Sequence, residues 1–174
     1  MKKLFLITLL ISSITFSQPV KFERVTQTDS SITKEVLFNR LSSRLINHIE
    51  GQDKYEKSII QSNFETGVII FNQKMSYNPK GNRSDDGLLH YKVNAYFKDG
   101  RFKIILSEII HEGKGLSLYQ LTEDTEYPYE KRNFLKYRIK WWKEVKGFAN
   151  IEMPKILTKF ERIILTPTEQ EKDW

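Results

Sequence analysis

Asp99 and Gly100 separate two long runs in which apolar and polar side chains alternate, "YKVNAYFK" before them and "RFKIILSEI" after. An Asp-Gly pair between such runs is the signature of a two-residue hairpin turn, because glycine adopts the positive φ that the turn requires. One nearly all-apolar face and one mixed face make each run a strand with one buried side. Pairing then follows from the turn. Lys98 faces Arg101, Phe97 faces Phe102, Ala95 faces Ile104, Val93 faces Leu106, Tyr91 faces Glu108 and Leu89 faces Ile110. Apart from Glu108, the face carrying Phe97, Ala95 and Val93 is apolar and is expected to lie beneath helices. The other face pairs Tyr96 with Lys103, Asn94 with Ile105, Lys92 with Ser107 and His90 with Ile109. Burying Lys92 or Lys103 without a partner would cost on the order of several kcal/mol. Lys92, Asn94, Tyr96, Lys103 and Ile105 are therefore expected to form an uncovered sheet face, either plainly solvated or meeting a partner that tolerates polar contacts.

The rest of the chain supplies the helices to cover the apolar face. "VKFERV", Val20 to Val25, reads as a first strand with Val20 and Phe22 on one side. A helix is expected from about Ile32 to Glu50, capped by Asp29, Ser30 or Ser31 and ended by Gly51. Its apolar stripe is Ile32, Val36, Leu37, Leu41, Leu45, Ile46 and Ile49, with Arg40, Ser43, Arg44 and Asn47 opposite. "KSIIQSNFETGVIIFNQKM" reads as strand, turn and strand, with Gly67 at the positive-φ position. A loop, "SYNPKGNRSDDG", leads into the hairpin, and an irregular connection follows it. The last third predicts two helical pieces. The first, Asn133 to Lys146, carries Phe134, Tyr137, Trp141 and Val145 and is broken or bent at Gly147. The second is capped by Asn150, with Pro154 in its first turn and Met153, Ile156, Leu157, Phe160, Ile163 and Ile164 on one face. "TPTEQEKDW" is expected to fray. This order is α+β: an antiparallel sheet of about five strands, β-α-β-β-β-β-α, with helices on one face.

"MKKLFLITLLISSITFSQ" has the layout of a signal peptide. Lys2 and Lys3 are basic, Leu4 to Ile14 are apolar, and Thr15 and Ser17 are small, so cleavage is expected between Ser17 and Gln18. The apolar run is shorter than the roughly 20 residues a membrane span needs. Residues 18–174 are then expected to be one exported domain, periplasmic or secreted, with no transmembrane segment. The chain has no cysteine, which excludes disulfides, thiolate metal sites and a lipid anchor at the cleavage site. Its formal charge is +6, or +4 without Lys2 and Lys3, too mild to indicate nucleic acid.

"YFKDGRFKIILSEIIHEG", preceded by a Ser-capped amphipathic helix and the strand "GVIIFNQK", resembles a secreted bacterial family of unknown function with a TATA-binding-protein-like fold. The likeness covers about residues 30 to 112, and "KWWKEV" adds a weaker match. It implies a strand-helix-four-strand-helix domain. It implies no activity and transfers no functional residue, and the fold name does not carry DNA binding with it.

No catalytic or cofactor motif emerges. Ser31-Ile-Thr-Lys34 has acyl-transferase spacing without the companion elements and reads better as a helix cap. Asn82 to Gly87 begins like a calcium loop, but its twelfth position is Val93, where a bidentate glutamate is needed. His90 and His111 are brought by the register to the same open end of the sheet, too few ligands for a metal site. Glu123, Asp124 and Glu126 read as a solvated acidic loop. Lys131, Arg132, Lys136, Arg138, Lys140, Lys143 and Lys146, interleaved with Tyr137, Trp141 and Trp142, would suit a lipid surface if the aromatics faced outward. The expectation is a non-enzymatic binding module of the cell envelope with another envelope protein as candidate partner. A small envelope hydrolase and a peripheral membrane protein are the alternatives.

Overall fold

The Asp99-Gly100 turn is built as the alternation demands, with Gly100 at φ 68°. It joins β4 (Gly87–Lys98) to β5 (Arg101–Gly113), the two longest strands. The structure, a computed structural model, describes residues 17–49, 56–78, 84–129 and 136–172. The other strands are β1 (Phe22–Gln27), β2 (Ile59–Asn63), β3 (Val68–Tyr77) and β6 (Tyr119–Gln120). All pairings are antiparallel, in the order β1-β5-β4-β3-β2, and β6 pairs with β5. The sheet thus has six strands where about five were expected. The added one is the two-residue β6 within the connection read as irregular.

Pairing follows the turn from Lys98↔Arg101 back to Lys92↔Ser107 and then departs from it. A register shift lies between His90 and Lys92, and Glu108 sits at φ 49°. One extra residue on β5, a β-bulge, moves everything beyond it to the opposite face. Leu89 therefore pairs with His111, and His90 with Ile110. The bulge corrects the expected Tyr91–Glu108, Leu89–Ile110 and His90–Ile109 pairs, and it removes the one charge from the apolar face. Glu108 turns outward, while Ile109 and His111 turn inward and are fully buried. Alternation, with the bulge included, gives an inner row of Phe102, Ile104, Leu106, Ile109 and His111.

The inner rows of β4 and β5 carry Leu89, Val93, Ala95, Phe97, Phe102, Ile104 and Leu106, none more than 2% exposed. Helix α1 (Lys34–His48) covers β3 and β4, and α2 (Lys136–Leu165) covers β1 and β5. Leu37, Phe38, Leu41, Leu45 and Ile49 are the buried side of α1; Phe38, absent from the expected stripe, stands edge-on to Phe97 at 5.8 Å, whereas Ile46 is 40% exposed. The N-cap is Thr33, not an earlier residue: its side chain accepts from the Val36 amide. The hairpin turn supplies a second cap, Asp99 Oδ1 accepting from the Lys34 amide at 2.6 Å. The Gly100 amide donates to the Ile32 carbonyl, so the turn is bound to the β1–α1 connection. The C-cap is Ile49; Gly51 lies outside the described residues.

The expected pair of C-terminal helices is one helix. Gly147 and Pro154 both lie inside α2, and Asn150 caps nothing. Trp142, Val145, Ala149, Met153, Leu157, Phe160 and Ile164 run at steps of three and four along its whole buried side. A stripe continuous with the sheet beneath outweighs the roughly 3 kcal/mol that an interior proline costs. Trp142, not Trp141, is the core indole at this end. The described residues after α2, 166–172, are bound rather than frayed. A last short turn, α3 (Glu169–Lys172), holds Glu171, to which Thr168 just before it donates, and Arg40, which is only 5% exposed, grips the same carboxylate.

Candidate binding face

The second face of the hairpin is where the alternation puts it, and β1 and β3 extend it. Across the strands, Val25, Lys103, Tyr96 and Val68 form one row, and Glu23, Ile105, Asn94 and Ile70 the next. Gln27, Arg101 and Lys98 form the row at the turn. The two long helices, α1 and α2, lie on the opposite side. Val25 is 54% exposed, Tyr96 38% and Ile110 42%.

Most charges on this face are paired. Lys92 donates to Glu108 at 2.5 Å, which is the use the bulge makes of that carboxylate. Lys103 stands 3.2 Å from Glu23, and His90 Nε2 is 2.7 Å from Glu112. Asn94 Nδ2 donates to Ser107 Oγ at 2.9 Å. The ion pairs are at the surface and individually contribute little to stability, about 0–1 kcal/mol, whereas the Asn94–Ser107 bond is part-buried. Their effect is to hold the side chains in place. At the turn end, Val25, Tyr96, Lys98, Arg101 and Lys103 border a shallow depression of about 250 Å³. Lys98 and Arg101 were legible from the register, but their grouping with Val25 required knowing that β1 pairs with β5.

The two hairpin histidines part company. His90 is on the open face, whereas His111 is buried on the other, correcting the expectation that they meet. The Leu118 amide donates to His111 Nδ1 at 3.1 Å, so the proton is on Nε2, which donates to the Asp85 carbonyl 2.7 Å away. Burial pushes the imidazole below its ordinary range. This neutral ring ties the residues before β4 to those before β6, a structural role. No three His, Asp or Glu side chains converge on a metal-sized site among the described residues.

The basic-aromatic segment divides as follows. Trp142 is fully buried, its indole donating to the Asp124 carbonyl, and Lys146 donates to the same oxygen at 2.8 Å. Asp124 is thus packed on α2, while Glu123 and Glu126 are exposed. Lys131 and Arg132 lie outside the described residues, as do 1–16, Pro79 to Arg83 and Asp173-Trp174. No described helix is long and apolar enough to cross a membrane.

No family model and no curated protein matches this sequence. Two solved structures are similar in fold. A TBP-like protein from Parabacteroides distasonis has a TM-score of 0.59 at 14% identity, over 86% of this chain and 95% of that one. A DUF4468 family protein from Bacteroides ovatus has a TM-score of 0.53 at 15% identity, over 87% and 89%. The chain therefore has the TBP-like α+β fold that the hairpin motif implied, and at this identity the likeness carries the fold alone.

Proposed function

We propose that this chain is an exported, non-enzymatic binding module of the cell envelope, one domain beginning at Gln18, and that its partner meets the open sheet face. The observation that carries this reading is the one-sided packing. The two long helices cover the inner rows, and Tyr96, Lys103, Ile105, Asn94 and Lys92 remain on the other side with Val25 and Ile110 exposed among them. A half-apolar, half-polar surface held by paired charges suits contact with another protein. Export is supported by the basic-apolar-small order of residues 1–17. A chain starting at Gln18 would keep the bond from the Glu123 amide to the Gln18 carbonyl, 2.8 Å. The two solved neighbours are named for a fold and a family, and neither name carries an activity. The deciding experiment compares capture of envelope proteins by the wild type and by Tyr96→Ala/Lys103→Ala. Loss of a specific partner in the variant is expected; identical capture rejects the face.

A further inference from the structure

The cations of the open face are not evenly matched. At the bulge Lys92 has Glu108, and one row in from the turn Lys103 has Glu23. At the turn itself Lys98 and Arg101 are exposed neighbours across the hairpin, and no carboxylate is paired with either among the described residues. They stand at the rim of the depression bordered by Val25 and Tyr96. The geometry points to a docking site for an acidic segment of a protein partner: an apolar side chain resting on Val25 and Tyr96, with a flanking carboxylate between Lys98 and Arg101. This rests on the reading of the open face as the binding surface and adds the chemistry of its occupant.

Charge complementarity decides the class of partner. Two unmatched cations beside an apolar floor suit a carboxylate followed by an apolar residue, and a guanidinium takes a carboxylate in a two-point contact. A nucleic acid would track phosphates along the strands and meet Glu23, Glu108 and Glu112 there, each repelling it. An anionic membrane would need a broad basic surface, and three carboxylates interrupt this one.

The test is fluorescence anisotropy of the purified protein with a fluorescein-labelled peptide of alternating glutamate and phenylalanine. The same peptide with glutamine at every glutamate, an oligo-dT strand and phosphatidylglycerol vesicles are the comparisons. The acidic peptide is expected to bind at least about tenfold more tightly than its glutamine form, with the preference weakening as salt is added. Lys98→Gln/Arg101→Gln should abolish the preference, and Lys98→Glu/Arg101→Glu should transfer it to a lysine-phenylalanine peptide. Both pairs are exposed at a strand end, and circular dichroism checks that the fold is retained. A preference that survives the double substitution overturns the assignment. So does tighter binding of oligo-dT or vesicles than of the peptide. If both peptides bind equally and Tyr96→Ser weakens both, the acidic assignment falls while the face remains the binding surface. If neither peptide binds, the assignment falls and partner capture alone judges the face.

Discussion

Arg40 of the first helix grips Glu171, 131 residues further along the chain: Nε lies 3.1 and 3.0 Å from the two carboxylate oxygens, and Nη2 donates to Oε2 at 2.5 Å. Arg40 also donates to the Ile164 carbonyl, and Arg44 to those of Ile163, Thr166 and Pro167. Two arginines of α1 thus satisfy carbonyls at and beyond the end of α2 that have no acceptor role within the helix. Two side chains read from the sequence as the wet side of α1 instead fasten residues 163–171.

The hydrogen bond from Arg40, with lesser help from Thr168, holds the Glu171 carboxyl at about 2 against the opposing effect of its partial burial. A depressed carboxylate stabilises the fold above its ordinary pKa near 4.5, and that contribution is lost as pH falls toward about 2. Glu171→Gln should lower stability at neutral pH by about 1–2 kcal/mol, since it leaves the buried Arg40 poorly paired. Between those two pH values its urea midpoint should fall less than that of the wild type. Parallel curves would show that the pair contributes nothing.

His111 should act higher on the pH scale. Protonating Nδ1 breaks the bond from the Leu118 amide, so stability is present above the ordinary imidazole value of 6.5 and declines as pH falls through the lowered one. His111→Leu leaves the Asp85 carbonyl and the Leu118 amide buried without this partner, at about 1–3 kcal/mol for each. Hydrogen exchange at Leu118 should accelerate in the variant; unchanged protection would refute the role.

Three glycines are predicted to respond in different directions. A Cβ on Gly147 would meet nothing within 4 Å, so Gly147→Ala should stabilise the helix by about 0.5–1 kcal/mol. Gly100→Val should destabilise by about 1 kcal/mol or more, because φ is 68° and a Cβ would lie 3.3 Å from Ser30 Cα. Gly67→Ala should cost more than Gly100→Ala, its Cβ meeting the Phe97 carbonyl oxygen at 2.6 Å. Thermal midpoints in any other order would contradict this packing.

On the sheet, Tyr96→Ala with Lys103→Ala should change stability by less than about 1 kcal/mol, whereas Val93→Asp should unfold the protein. Val93 is fully buried, and Tyr96 and the Lys103 side chain are each 38% exposed. A large loss in the double variant, measured by urea titration, would mean that the outer face is covered.

Mass spectrometry of the natively produced protein should find Gln18 at the N-terminus. An intact Met1 or Lys2 would exclude cleavage at that site and, with it, this route of export.

The hairpin, the α+β class, the positive-φ turns at Gly67 and Gly100 and the outer position of Tyr96 and Lys103 were legible in the sequence. Each follows from local rules: period-two alternation fixes faces, and Asp-Gly fixes a register that holds for several residues from the turn. What lay beyond those rules was decided by tertiary contact. The bulge at Glu108 keeps a carboxylate off an inner face that takes Ile109; the sequence marks the place only by one charge on an otherwise apolar row, which does not disclose the extra residue. Gly147 and Pro154 argued for a break in the last helix, but burial of Trp142 through Ile164 on one sheet outweighs both local preferences. Arg40 and Glu171 are polar and far apart in the chain, so neither discloses the other. Periodicity sorts side chains into faces; only the packed structure decides which distant groups those faces bring together.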